Sequence, residues 1–197
     1  LIFTETPANP TLKLTDIAAI SGIAKEKGIP HAVDNTFLTP YYQRPIELGA
    51  DIVIHSTTKY MDGHNSTVGG AAIAASQEHL EAIQFCRNCL GSNMSPQVAF
   101  YTMQGTKTMS TRLEAQSANA MKVAEFLQTH NMVADVHYPG LPSFPQYELA
   151  CKQASGFGAM IWFEVKGGVE SGKKLMNTLE LWSLAENLGS VESLVTH

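Results

Sequence analysis

The part of the chain that decides the fold is the segment Ile-His-Ser-Thr-Thr-Lys-Tyr, residues Ile54–Tyr60. It continues the apolar run Asp51–Ser56, which predicts a buried strand, and it places Lys59 just beyond the carboxyl end of that strand. In open α/β sheets, ligands bind outside the carboxyl ends of the strands. A lysine buried at such a place loses hydration and becomes a nucleophilic amine. The segment therefore predicts a ligand site centred on Lys59.

The residues before and after this segment predict a sheet whose strands are separated by helices. Leu1–Thr4, His31–Asp34 and Ala71–Ala75 are further short strand-like runs. A helix capped by Thr15 or Asp16 lies between the first two of them. Strands that are apolar on both faces and alternate with helices indicate a parallel or mixed sheet covered on two sides. The first half of the chain is therefore predicted to be α/β.

The second half of the chain has a different pattern. Residues 77–128 have helical spacing, with interruptions expected near Gly91 and Gly105. Two strands then alternate with two helices, at residues 133–138, 147–153, 159–165 and 170–180. We predict a domain change near residue 110. Residues 1–110 would belong to a three-layer α/β domain, and residues 111–197 to a linking helix and a smaller α+β domain.

Composition and charge exclude several classes of protein. The chain has 197 residues, of which 44% are hydrophobic and 16% charged, so it is too apolar for a disordered segment. Its formal net charge is −5, without a long basic run, so it lacks the electrostatic footprint of a nucleic-acid binder. No apolar stretch approaches the roughly 20 residues that cross a bilayer. We expect neither a nucleic-acid partner nor a membrane.

The cysteines and the start of the chain lead to further expectations. Cys86, Cys89 and Cys151 cannot all pair, which favours a reducing compartment, and we expect a cytoplasmic protein. Cys86 and Cys89 form a C-x-x-C pattern inside a helical run, and no second pair completes a zinc site, so no metal is expected. The sequence begins at Leu1 without a methionine and reads as a piece of a longer chain.

A carboxylate and two hydroxyls accompany the lysine. Asp34 ends a neighbouring strand, where it could pair with a cationic ring nitrogen, and Ser56 and Thr58 could hold a phosphate. A nucleophilic lysine, a carboxylate and phosphate-holding hydroxyls are what the binding of pyridoxal phosphate requires. An ordinary surface lysine and a helix-capping aspartate would give the same pattern. The residues by themselves leave both interpretations open.

Longer motifs carry a resemblance to a known family. In chain order they are ETPANP (5–10), VDNTF (33–37), QRP (43–45) with LGAD (48–51), HSTTKY (55–60), YPGLPS (138–143), GFG (156–158) and SLAENLG (183–189). These motifs resemble the Cys/Met-metabolism group of pyridoxal-phosphate enzymes, which contains cystathionine γ-synthase, the cystathionine γ- and β-lyases and methionine γ-lyase. The resemblance covers essentially the whole chain. It implies the aminotransferase-like fold type I, with a three-layer large domain on a mostly parallel sheet and a smaller α+β carboxyl-terminal domain.

The resemblance also implies a role for each residue around the cofactor. Lys59 would form the Schiff base with pyridoxal phosphate and carry protons between substrate carbons. Asp34 would pair with the pyridinium nitrogen, and Ser56 and Thr58 would contact the phosphate. Asn9 would contact the phenolic oxygen of the cofactor and approach the substrate carboxylate.

Two residues near the end of the chain would line the substrate site, by the same resemblance. Glu186 stands where the family's cystathionine-handling γ-enzymes have glutamate and its methionine lyases have an apolar residue. A carboxylate could accept a hydrogen bond from the distal amino group of cystathionine, which methionine lacks. Glu186 therefore favours a cystathionine γ-type enzyme. Asn187 replaces the family's usual serine, so its side-chain contacts need not be those of the family.

The implied activity is the making or breaking of a Cγ–S bond in cystathionine or in a homoserine-derived substrate. Methionine γ-lyase and O-acylhomoserine sulfhydrylase are alternatives. The implied assembly is a homodimer or homotetramer whose subunits share active sites. In the family, a phosphate-binding glycine loop and a ring-stacking tyrosine lie upstream of this stretch, and a carboxylate-binding arginine lies downstream. The resemblance thus implies that both domains are truncated in this chain. A non-catalytic assembly domain of the same fold is therefore a second hypothesis, and a thiol redox protein acting through Cys86 and Cys89 is a third.

Overall fold

A four-stranded sheet forms the first half of the molecule in the computed structural model, which describes residues 1–197. Strands β1 (Ile2–Glu5), β2 (His31–Asp34) and β3 (Ile52–Ser56) are parallel neighbours in that order. Strand β4 (Gly70–Ala74) pairs antiparallel with β3. All four strands lie within one residue of their predicted positions. The predicted mixed sheet is confirmed.

Helices and turns connect these strands. Helix α1 (Ile17–Glu26) joins β1 to β2, and the Asp16 carboxylate caps it by accepting a hydrogen bond from the Ala19 N–H at 2.9 Å. The short helix α2 (Thr39–Tyr42) and a single turn at Pro45–Leu48 lead from β2 to β3. A wide helical turn, Thr57–Met61, follows β3 directly. This turn carries the candidate lysine.

Three helices follow the sheet: α3 (Gln77–Leu90), α4 (Pro96–Lys107) and α5 (Met109–Thr129). The interruption expected at Gly91 is present, since Gly91 ends α3 with a φ of +68°. The interruption expected at Gly105 is wrong, because Gly105 lies inside α4. A side chain at Gly105 would overlap the backbone carbonyl of Asp62. This glycine allows close helix packing and does not break the helix.

The rest of the chain forms smaller units. Strand β5 (Val133–His137) pairs antiparallel with β6 (Trp162–Val165), and helices α6 (Tyr147–Gln153) and α7 (Gly168–Thr178) accompany them. The predicted strand at 159–165 is therefore too long. Because β5 ends opposite Trp162, residues 159–161 have no partner strand. Two-residue strands β7 (Ser183–Leu184) and β8 (Leu194–Val195) pair near the end of the chain.

The hydrophobic core joins early and late parts of the chain. One cluster contains Leu12, Phe37 and Tyr60 together with Leu113 of α5 and Leu188. Residues from both predicted domains therefore meet beside the turn that follows β3. The boundary near residue 110 stays a prediction. None of the helices has both the length and the apolar character that crossing a membrane requires.

Candidate active site

The carboxyl ends of the three parallel strands form one edge of the sheet. Asp34, the last residue of β2, is in register with Glu5, the last residue of β1. Thr36 connects this edge to β3, because its N–H donates to Asp34 Oδ1 and its Oγ1 accepts from the Ser56 N–H, both at 2.9 Å. Thr36 therefore fixes the Asp34 carboxylate relative to the end of β3. Thr36 belongs to the VDNTF motif (33–37), but nothing in its sequence context predicted this role.

Lys59 lies in the middle of the turn at Thr57–Met61. Its backbone leaves the helical conformation there, with φ −93° and ψ −127°, and its side chain is partly buried. The Lys59 carbonyl accepts a hydrogen bond from the Gly63 N–H at 2.8 Å. The amine Nζ donates to Asn187 Oδ1 at 2.6 Å. Folding thus brings together Lys59 and a candidate substrate residue that lies 128 positions later in the chain.

Arg112 of α5 forms hydrogen bonds with the same turn and with α4. Its Nη2 donates to the carbonyl oxygens of Tyr60 at 2.9 Å and Gly105 at 2.8 Å. Burial lowers the pKa of the Arg112 guanidinium, and the nearby Asp62 carboxylate opposes that shift. The guanidinium therefore ties the lysine turn to α4 and α5. Sequence reasoning missed this residue, since an arginine in an amphipathic helix carries no signal of such a role.

The loop that follows β7 covers the turn from the other side. Leu188 is buried in the cluster that contains Tyr60. Gly189 has a φ of +84°, and a Cβ there would lie 2.6 Å from the Tyr60 backbone nitrogen, so the two backbones are in close contact. The Ser190 carbonyl accepts from Gln116 Nε2 of α5 at 2.8 Å. Glu186 is exposed and directly precedes the residue that contacts Lys59.

The remaining candidates surround the edge of the sheet without contacting Lys59. The hydrogen bond of Ser56 to Thr36 uses its backbone N–H, which leaves its hydroxyl available. The Thr58 hydroxyl accepts from the Gly69 N–H at 3.0 Å and donates to the Gly69 carbonyl at 3.3 Å. It would have to release that longer bond to donate to a phosphate. Asn9 is exposed in the turn after β1. The roles of all three residues stay predictions.

Titratable groups at this edge influence one another. Burial raises the pKa of Glu5, a hydrogen bond from the Asn9 N–H lowers it, and the charge of Asp34 raises it further. Burial lowers the pKa of His55, and the Asp34 charge opposes that shift. The His55 ring is buried, and its Nδ1 has no hydrogen-bond partner. A neutral imidazole therefore lies beside a carboxylate held in a partly buried position.

The arrangement fits pyridoxal phosphate as far as these residues extend. One oxygen of Asp34 is held by Thr36, which leaves the other to accept from a protonated ring nitrogen. The Ser56 hydroxyl lies at the end of β3, which Thr36 connects to Asp34 by hydrogen bonds. The Lys59 amine lies on the turn that directly follows β3. These are an amine, an anion and a hydroxyl donor at one edge of a sheet, which match the aldehyde, the pyridinium and the phosphate of that cofactor.

The fold and site therefore define an α/β protein with a partly buried lysine and a carboxylate at the carboxyl edge of its sheet. The whole chain, residues 1–197, matches the family model described as Cys/Met metabolism PLP-dependent enzyme. The chain belongs to this family. The predicted family, its fold type and its cofactor are thereby confirmed.

Individual relatives share the full length of this chain but extend well beyond it. L-methionine γ-lyase of Porphyromonas gingivalis is 51% identical over 200 residues, which cover 100% of this chain and 50% of the relative. Cystathionine γ-lyase of Bacillus subtilis is 46% identical over 195 residues, which cover 99% and 51%. The structure of cystathionine γ-synthase from Xanthomonas oryzae in complex with aminoacrylate and cysteine superposes with a TM-score of 0.97 at 44% identity, covering 99% of this chain and 50% of that one. The chain spans about half the length of the curated relatives it matches.

Proposed function

We propose that the protein is a pyridoxal-phosphate enzyme that makes or breaks the Cγ–S bond of cystathionine or of a homoserine-derived substrate. The observation that carries the proposal is the position of the Lys59 amine. It lies on the turn after β3, 2.6 Å from Asn187 in the loop that also holds Glu186. An amine that moves protons and a loop that selects the substrate are therefore in contact.

Each residue has a physical task in this proposal. The bound cofactor supplies an electron sink for negative charge that develops on the substrate's α-carbon. Asp34 offers the anion that keeps the ring nitrogen protonated, and Thr36 orients it. Lys59 Nζ removes the proton from the α-carbon and later returns a proton to the substrate. Ser56, Thr58 and Asn9 would hold the cofactor and the substrate carboxylate.

Glu186 supports cystathionine as the substrate within this proposal. Its carboxylate is exposed beside the residue that contacts the amine, where a distal ammonium group of the substrate could reach it. Methionine has no such group. Because methionine γ-lyase of Porphyromonas gingivalis is 51% identical to the chain, methionine γ-cleavage is the second candidate, with O-acylhomoserine sulfhydrylation as a further alternative.

The proposed assembly is a homodimer or homotetramer in the cytoplasm. Large apolar side chains are exposed on α3 and α4, and these would be covered in an assembly; they are Phe85, Leu90, Phe100 and Met103. All three cysteines are free, which supports a reducing compartment. Cys86 and Cys89 lie within α3, away from a helix start, so their position does not support the redox hypothesis.

A parallel assay of three substrates tests the function. The purified protein, loaded with pyridoxal phosphate, is offered cystathionine, methionine and an activated homoserine ester with a thiol. We expect cystathionine and water to give cysteine, 2-oxobutanoate and ammonia, or the ester and cysteine to give cystathionine and the carboxylic acid that leaves from the ester. Lys59→Ala should abolish turnover, and borohydride should fix the cofactor on Lys59 in the unaltered protein. Full turnover by Lys59→Ala would refute the proposal, and absence of both cofactor binding and turnover would favour a non-catalytic assembly domain.

Replacement of Glu186 tests the substrate. Glu186→Gln keeps the size of the side chain and removes its charge. We expect kcat/KM for cystathionine to fall about tenfold, the order of a single charged hydrogen bond, with little change for methionine. An equal loss for both substrates would remove Glu186 from the selection of cystathionine.

A further inference from the structure

A chain of side-chain hydrogen bonds runs outward from the candidate lysine. Lys59 Nζ donates to Asn187 Oδ1 at 2.6 Å, and Asn187 Nδ2 donates to Asn65 Oδ1 in a short contact. Asn65 Nδ2 donates in turn to Glu192 Oε2 at 2.8 Å. These hydrogen bonds link three segments: the turn after β3, the loop before β4, and the loop between β7 and β8. Neither Asn65 nor Glu192 was a candidate from the sequence.

The Glu192 carboxylate, at the outer end of these hydrogen bonds, determines which group donates and which accepts in each of them. An ionised carboxylate only accepts hydrogen bonds, so Asn65 must turn its amide nitrogen toward Glu192 and its oxygen toward Asn187. Asn187 must then turn its nitrogen toward Asn65 and its oxygen toward the lysine amine. Hydrogen bonds, above all the one with the Ser190 side chain, lower the pKa of Glu192 and keep it ionised near neutral pH. The carboxylate thus selects one orientation of both amides.

The backbone around Asn187 is held in place independently of these amides. The next residue, Leu188, is buried against Tyr60, and Gly189 lies against the backbone of the lysine turn. Because the loop is anchored at these residues, the amide group of Asn187 needs only its side-chain torsions to be set. Asn65 supplies that constraint. A serine, the residue expected from the family at this position, has a single hydroxyl and could not join Lys59 and Asn65 through two separate atoms.

We propose that Asn187 is a positioning residue for the Lys59 amine, and that Asn65 and Glu192 act on this amine only through Asn187. The inference rests on the proposed function, in which Lys59 moves protons. The Asn187 carbonyl oxygen, 2.6 Å from Nζ, holds the amine by a hydrogen bond beside the loop that carries Glu186. Asn187 would thus keep the free amine from rotating into solvent between proton transfers.

A double-mutant cycle with Asn187→Ala and Glu192→Gln tests the proposal in the cofactor-loaded protein. We expect Asn187→Ala to lower kcat about tenfold with KM nearly unchanged, since proton transfer by a positioned group is affected and substrate binding is not. Glu192→Gln should lower kcat about threefold, and should have no further effect when residue 187 is alanine. Asn187→Ser should recover part of the loss, because a hydroxyl can still accept from the lysine. Glu180→Gln, which removes an exposed charge elsewhere, is the matched control.

A second measurement does not depend on turnover. In protein freed of cofactor, the reaction of Lys59 with trace acetic anhydride is followed by mass spectrometry of its peptide. We expect Asn187→Ala to raise this rate about fivefold, the factor of one hydrogen bond, because the amine is no longer held by Asn187 and can turn toward the reagent. Glu192→Gln should give a smaller rise, and Glu180→Gln none.

The two measurements separate this inference from the proposed function. The positioning role is refuted if Asn187→Ala leaves the labelling rate unchanged. It is also refuted if Glu192→Gln lowers kcat equally whether residue 187 is asparagine or alanine. Neither outcome bears on whether the protein turns over its substrate. If no substrate is turned over but the labelling rates change as expected, the hydrogen-bond chain is supported and the proposed reaction is refuted.

Discussion

The two sides of the candidate site are built in different ways. On one side, Asp34 and Ser56 end paired strands of the four-stranded sheet, and Thr36 bonds to both residues. On the other side, Asn187 belongs to a loop between two strands of only two residues each. That loop is held by the buried Leu188 and by its close contact with the lysine turn. The sheet side is fixed by many backbone bonds and the loop side by a few contacts.

This difference suggests a division of work. Groups that must keep a fixed geometry during a reaction are best placed on regular elements, whereas loops tolerate substitution and often carry specificity. The anion proposed for the cofactor lies on the sheet, and the residues proposed for substrate selection and amine positioning lie on the loop. Changes on the sheet side should therefore affect activity most, and changes on the loop side should adjust it.

The largest effect is expected at Asp34. Asp34→Asn keeps the size of the side chain and an oxygen for the Thr36 N–H, but it removes the negative charge. We expect kcat/KM to fall at least about a hundredfold, the order found when one electrostatic partner of a reacting centre is removed. Unfolding in urea should change little. Retention of about half the activity would show that the sheet side carries no essential charge.

The next effect concerns Arg112, which holds the turn between the two sides. Arg112→Met keeps an apolar stem but leaves the carbonyls of Tyr60 and Gly105 without their donor. We expect the free energy of unfolding to fall by about 2 kcal/mol, the cost of a lost charged hydrogen bond near buried groups. Arg112→Lys should recover only part, since a lysine lacks the planar fork that reaches both oxygens. Equal urea midpoints for all three proteins would contradict this support.

A smaller effect is expected on the loop side at Gly189. Gly189→Ala places a Cβ 2.6 Å from the Tyr60 backbone nitrogen, so the loop must move away from the lysine turn. Because so few contacts hold the loop, we expect kcat to fall about tenfold through misplacement of nearby groups, and the urea midpoint to fall because alanine is strained at this φ. Gly168→Ala is the control, because Gly168 also has a positive φ, +65°, but its Cβ would meet open space. An equal loss of kcat in Gly168→Ala would show that backbone strain alone causes the effect.

The smallest effect is a dependence of stability on pH that arises on the sheet side. Burial lowers the pKa of His31, whose ring nitrogens bond to the hydroxyls of Thr4 and Ser21. The unfolded chain therefore binds a proton near pH 6.5 more readily than the folded protein does. Stability is complete above that pH and falls as the pH drops through and below it. We expect the free energy of unfolding to be lower at pH 5.5 than at pH 7, and the difference to be smaller in His31→Gln. Equal urea midpoints at both pH values would contradict a neutral, buried His31.

Local patterns predicted the elements on which the site is built. The runs at β2 and β3 are short, apolar and followed by polar residues, so both their extent and the placement of Asp34 and Lys59 at strand ends could be read from neighbouring residues. Gly105 shows the limit of such reasoning. A glycine inside a helical pattern predicts an interruption of the helix. Position 105 instead requires a glycine because a side chain there would overlap the backbone of Asp62, which lies 43 positions earlier in the chain.

Neighbouring residues in the chain were enough to predict where the reactive side chains lie. They place a carboxylate at the end of one buried strand and a lysine after the next, within motifs that resemble one family. Those features depend on residues close together in the chain, where periodicity and turn chemistry act. Only the tertiary structure decided which distant groups touch them, namely Arg112 behind the turn and Asn187, with Asn65 and Glu192, at the amine. Side-chain hydrogen bonds between residues 52 to 128 positions apart leave no periodic signal, because they depend on how the packed core brings their backbones together.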